Sequence, residues 1–167
     1  HAFRSCSGMT SIAIPNSVKT INWHVFRDCS GLTSIAIPNS VTTIGQESFS
    51  GCSSLQKVIV NDIAAWCRIA FGSNPLYYAH HLYSSETTEI TKLVIPNTVT
   101  SISDDAFEGC NALTSLTIGN QVKSIGIGSF YKCTGLKSLT IPNSVTTIGR
   151  QAFYGCSGLT SLTIGNS

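Results

Sequence analysis

Two residue types recur in lockstep along this chain at a spacing of 23. Phe3, Phe26 and Phe49 form one run and Phe107, Phe130 and Phe153 a second. Each is followed three residues later by a cysteine: Cys6, Cys29, Cys52, Cys110, Cys133 and Cys156. A fixed period of this length marks a solenoid. A unit of 23 residues cannot close a core around itself, so each copy must bury its apolar side against its neighbours.

The copy Leu32 to Ser54 shows what one unit contains. Ser34-Ile35-Ala36-Ile37 alternates with the two-residue period of a strand. Pro38-Asn39 ends it with a turn. Val41-Thr42-Thr43-Ile44 is a second extended piece rich in β-branched residues, and Gly45 permits a bend after it. Phe49 and Cys52 are spaced to share one helical or 3₁₀ turn, both pointing inward. The inward triad recurs as Met9/Ile12/Ile14, Leu55/Val58/Val60, Ile90/Leu93/Ile95, Leu113/Leu116/Ile118, Leu136/Leu139/Ile141 and Leu159/Leu162/Ile164. An Asn follows the strand in most copies (Asn16, Asn39, Asn97, Asn120, Asn143). It is either a hydrogen-bonded ladder between coils or plain turn chemistry.

These residues resemble the leucine-rich repeat superfamily, and most closely its BspA-like (Treponema pallidum-type) subclass, with the pattern LxxIxIPxxVxxIGxxAFxxC. The resemblance covers the whole chain. It implies a strand-dominated α/β-type horseshoe: a right-handed solenoid with a parallel sheet on its concave face, short extended or 3₁₀ segments on the convex side and little helix. It also implies a cell-surface or secreted setting, because such proteins are displayed by host-associated bacteria and some protists and are linked to adhesion and host-protein binding.

The period breaks once. Phe49 and Phe107 are 58 apart, which is 23 plus 35, so the copy from Leu55 to Glu89 carries 12 extra residues. Asn61-Asp62 can cap a short helix through Ile63, Trp66, Cys67 and Ala70, ended by Gly72. Asn74-Pro75 opens a second short turn or helix with Pro at its first position. Leu82-Tyr83, a polar turn and Thr88 to Leu93 read as a hairpin into the next copy. The whole of 1–167 reads as one solenoid, and both ends fall within a repeat, as expected of a fragment of a longer array without its leader and caps.

Composition narrows the function. The chain is 42% hydrophobic and 11% charged, with a net charge of +2. That balance excludes a disordered chain and gives no electrostatic footprint for nucleic acid. No apolar run reaches the roughly 20 residues of a membrane-spanning helix. The cysteine ladder reads as buried thiols beside the Phe ladder (Phe26, Phe49, Phe107, Phe130, Phe153 with Cys29, Cys52, Cys110, Cys133, Cys156), although coils stacked about 5 Å apart leave disulfides open. His80-His81 lacks a third ligand for a metal. Asp104-Asp105 is the only acidic pair and reads as a solvated loop. No catalytic motif, phosphate loop or cofactor site is present.

The expected role is therefore binding of a host or surface protein; the competing role is a spacer that presents another domain. The sequence leaves the oligomeric state open. The expected contact residues lie in the irregular copy and beside it: Trp66, Tyr77, Tyr78 and Tyr83, with the outward strand residues Ile59 and Val94. Insertions in repeat proteins often serve binding, and Trp and Tyr are favoured interface anchors. The alternative is that these rings plug the core where the regular coil is interrupted.

Overall fold

A computed structural model describes residues 2–165. Among them the chain forms, in order, β1 (Thr20–Ile21), β2 (Ser34–Ile37), β3 (Thr43–Ile44), β4 (Lys57–Val60), α1 (Ile63–Trp66), β5 (Ala70–Phe71), α2 (Leu76–Ala79), β6 (Leu82–Tyr83), β7 (Lys92–Val94), β8 (Ser101–Ile102), β9 (Ser115–Thr117), β10 (Ser124–Ile125), β11 (Ser138–Ile141), β12 (Thr147–Ile148) and β13 (Ser161–Ile164). All strand pairs are parallel. The triad strands make two sheets, β2-β4-β6 and β7-β9-β11-β13, and the second extended pieces make two more, β1-β3-β5 and β8-β10-β12. In the regular copies the register offset equals the repeat: Ser115 pairs with Ser138 and Ser138 with Ser161. The result is a strand-dominated solenoid, as the period predicts, with the parallel sheets that the family resemblance implies.

The inward positions stack into columns. Phe107, Phe130 and Phe153 lie 5.2 and 5.3 Å apart, centroid to centroid, with interplanar angles of 10° and 2°. Phe3, Phe26 and Phe49 stack at 5.7 and 5.4 Å. Offset stacking adds to the area that these rings bury. Phe26, Phe49, Phe107 and Phe130 are buried and Phe153 is half-buried. The cysteines follow suit. Cys29, Cys52, Cys133 and Cys156 each donate a thiol hydrogen bond, at 3.0 to 3.3 Å, to the carbonyl of the Phe 26 residues earlier, in the preceding coil. The sulfur thus fills a core position and also ties two coils together.

All seven cysteines are free thiols, with Cys6 exposed and the other six buried. Thiol labelling at pH 8 without denaturant is expected to modify about one group per chain, and all seven in denaturant. Six fast-reacting groups in the native protein would contradict the packing.

Hydroxyls, more than asparagines, lace the outer rims. Thr33, Thr42, Thr114, Thr146 and Thr160 each donate to a backbone carbonyl 23 residues earlier. Of the corner asparagines, Asn97 Oδ1 accepts from the Asn120 N–H at 2.9 Å. The first copy departs from expectation. Residues 11–14 do not form a strand, and Met9, Ile12 and Ile14 are only partly buried. In the last copy Leu162 and Ile164 are exposed, because β13 is the outermost strand of its sheet among the described residues.

The irregular copy resolves into two parts. Val58 pairs with Leu82, an offset of 24, and the next triad strand has Leu93 at the same position, 11 residues further on. The sum is 35, so the coil itself has nearly regular length and the surplus is a hairpin on the concave side. Tyr83 and Glu89 form its antiparallel bridge, with Ser84 N–H to Thr88 O at 2.9 Å and Ile90 N–H to Leu82 O at 2.8 Å. Asp62 caps α1 by accepting from the Ala65 N–H at 3.0 Å. The helix stops at Cys67, well before Gly72, because Ala70 and Phe71 are drawn into β5 beside Thr43 and Ile44. Pro75 precedes α2 as its cap residue instead of opening the helix.

Candidate functional site

The expected contact residues divide sharply. Trp66 is only 2% exposed; its indole Nε1 donates to the Ala106 carbonyl at 2.7 Å and its ring tilts against Phe71 at 5.0 Å. It is a core plug linking the irregular coil to the next, and not a surface anchor. Ile59 is also buried, at 6%. Strand β6 sets Tyr83 beside it in register, and the Lys57 ammonium lies 4.8 Å from the Tyr83 ring. In most regular coils a small Ser, Ala or Thr stands at such outward positions. Val94 and Tyr77 are exposed, at 60% and 56%. Tyr78 is half-buried and packs on the core, edge-on to Tyr77 at 5.1 Å. The structure therefore does not bring all six residues into one patch. Tyr83 and Val94 face the concave side, and Tyr77 stands at the coil returns.

The returns carry the more developed surface. In regular copies the residue after the ladder Phe lies on this rim: Glu108, Tyr131 and Tyr154. Tyr77, next to the buried Leu76, lines the same concavity as Glu108 and Tyr131. Tyr131 and Tyr154 stack at 5.3 Å and 12°, and Tyr154 is 58% exposed. The Lys132 ammonium sits 5.2 Å from the Tyr131 ring. Tyr77 and Glu108 line two adjoining concavities. One is shared with Asn74, Tyr78 and Asp105, the other with His80, Gly109, Tyr131 and Lys132. Burial, then the charge of Asp105, raises the Glu108 pKa; burial, then Asp104, raises that of Asp105. Tyr131 and Tyr154 shared a position in the sequence, but only the placement of Tyr77 makes the row visible.

Asn74 fixes this rim. It is buried, its Nδ2 donates to the Asp105 and Ala106 carbonyls at 2.6 and 3.1 Å, and its Oδ1 accepts from the Leu76 N–H at 2.9 Å. Asn74→Ala is expected to lower stability by about 1–3 kcal/mol in urea unfolding, since it strands the Leu76 amide and removes the bridge to the Asp105 and Ala106 carbonyls. An unchanged midpoint would show that the bridge is not needed.

The remaining polar candidates have structural work. Asp104 Oδ1 accepts from the Ile127 N–H of the next coil at 2.6 Å. His80 and His81 diverge: His80 Nδ1 meets the Gly109 carbonyl at 3.2 Å, while His81 Nδ1 meets the Glu89 carboxylate. Arg27 pairs with Glu47.

The fold has solved counterparts. The chain is similar to a leucine-rich cell surface protein from Faecalibacterium prausnitzii A2-165 (26% identity, TM-score 0.60), covering 93% of this chain and 48% of that one. It is also similar to a leucine-rich repeat protein from Bacteroides ovatus ATCC 8483 (26% identity, TM-score 0.58), covering 98% of this chain and 41% of that one. The chain thus spans less than half the length of either. No curated protein matches the sequence. The model for the BspA-type leucine-rich repeat region matches residues 1–78 and 79–167 with six copies. Its period, its stacked Phe and Cys columns and this match agree: the chain belongs to the BspA-type leucine-rich repeat family.

Proposed function

We propose that this solenoid is a non-enzymatic protein-binding module, displayed at a cell surface or secreted, that serves adhesion to a host or surface protein. The observation that carries the reading is the tyrosine rim. Tyr77 and Tyr154 are large exposed aromatics on a protein whose concave strands otherwise present residues such as Ser115, Thr117, Ser138 and Thr140. Exposed Tyr is the residue type from which interface anchors are built. The surface setting is supported by the description of the Faecalibacterium counterpart as a cell surface protein.

The test is a double variant, Tyr77→Ala with Tyr154→Ala, measured against a panel of immobilised host extracellular proteins. A partner of the parent protein is expected to bind at least about tenfold more weakly to the variant, at an unchanged unfolding midpoint. Unaltered binding would reject the rim. The spacer reading draws on the hydroxyl rungs, which spend the rim threonines on coil-to-coil bonds. It predicts no specific partner for the parent protein or the variant.

A further inference from the structure

We infer that the notch between Tyr77 and Tyr131 receives one arginine side chain of a protein partner. This rests on the binding role proposed above and names the chemistry it would recognise. Tyr77 and Tyr131 stand on coils separated by the coil of Glu108 and Gly109, and all four residues line one concavity. Two coil spacings set the walls roughly 10 Å apart, wide enough for one flat group. Gly109, at φ +73°, contributes no side chain to the floor, so Glu108 is the acidic group between the walls.

Charge selects the occupant. Glu108 lines the notch beside Lys132, Asp105 lines the adjoining concavity, and among the described residues neither carboxylate has an ion-pair partner within 4.0 Å. Burial and the charge of Asp105 work against the Glu108 carboxylate, so a cation entering the notch relieves it. The protein also displays the contact internally. Lys132 places its ammonium over Tyr131, whose ring stacks against Tyr154 on the next coil. Lys132 is exposed, so an arriving guanidinium can replace it over the ring and beside Glu108. A guanidinium suits the notch better than an ammonium, because it is planar, stacks on aromatic faces and grips a carboxylate with two parallel N–H donors.

The experiment is an NMR titration of the whole chain with N-acetyl-arginine amide, with the neutral N-acetyl-citrulline amide and methyl glucoside as comparators. Millimolar binding of the arginine probe is expected, with shifts at Tyr77, Glu108 and Gly109 and none from the comparators. Glu108→Gln is expected to weaken it about tenfold. Lys132→Ala is expected to strengthen it several-fold by vacating the ring, a gain that loss of folding cannot imitate. Equal binding of citrulline, binding of glucoside alone, or no shift up to about 50 mM probe would overturn the inference. If a protein partner depends on Tyr77 and Tyr154 but not on Glu108, the arginine site fails while the binding module stands.

Discussion

Above pH 9 the solenoid is expected to lose stability steeply, and by pH 11 its urea midpoint should have collapsed relative to pH 8. The cause is the cysteine column. Burial pushes the Cys52 thiol up to about 11 and Cys67 to about 12, and it raises Cys29, Cys110, Cys133 and Cys156 as well. The unfolded chain titrates near the ordinary thiol value. Between that value and the raised one, the unfolded state has released a proton that the fold still holds, so unfolding gains as pH rises. The stabilisation is complete below about pH 8.5 and is withdrawn at about 1.4 kcal/mol per pH unit for each such thiol. The loss for each thiol ends at its folded-state pKa, so the thiols raised furthest dominate, and together they reach the order of the usual stability of a domain by pH 11. The measurement is a urea series under reductant from pH 8 to 11. Replacing Cys52 and Cys133 by Ala should make the decline shallower. A flat profile to pH 11 would mean that the thiols are solvated or oxidised.

Phe130→Ala is expected to cost about 3–5 kcal/mol in urea unfolding, whereas Thr43→Ala should stay within about 0.5 kcal/mol. Phe130 is completely buried, with Phe107 and Phe153 stacked on its two faces. Removing it opens a void in the middle of a column, where neither neighbour can move inward without abandoning its own coil. Thr43 is half-exposed on the short strand β3, and its main-chain pairing with Thr20 and Ala70 survives the change. Equal costs for the two variants would mean that the column is not the structural axis of the solenoid.

The sequence made the columns legible because repetition averages out local ambiguity. One Phe three residues before one Cys says little, but six copies at one spacing define an inward face. The irregular coil offers a single copy, and there residue type misleads. Trp66 is both a good interface anchor and a good core plug; its neighbours Ala106 and Phe71 decide, and neither adjoins it in sequence. Ile59 sits at an outward strand position by alternation, yet is covered because Tyr83 pairs beside it; Leu82-Tyr83 reads as a hairpin arm in the sequence, but its parallel pairing with β4 is not visible there. The corner asparagines invited a ladder reading that threonines mostly fulfil, since either side chain can reach the adjacent coil. The tyrosine rim needed the coil returns to be superposed, because Leu76–Ala79 carries neither the Phe nor the Cys that marks the return in the regular copies.

The hairpin after β6 has a mechanical side. Both the concave and the convex ladders change partners at the same coil, so neither sheet runs through it. Across that seam the halves are joined by the packing of their shared core and by individual bonds: Ser103 N–H to Cys67 O, Asn111 N–H to His80 O, the His80 ring to Gly109 O, the Trp66 indole and the Asn74 amide. Tension applied along the axis would load these few links together, whereas within either half it would open rungs one after another. Held by one end and pulled by the other, the molecule is expected to part first at its middle, leaving two stacks of coils.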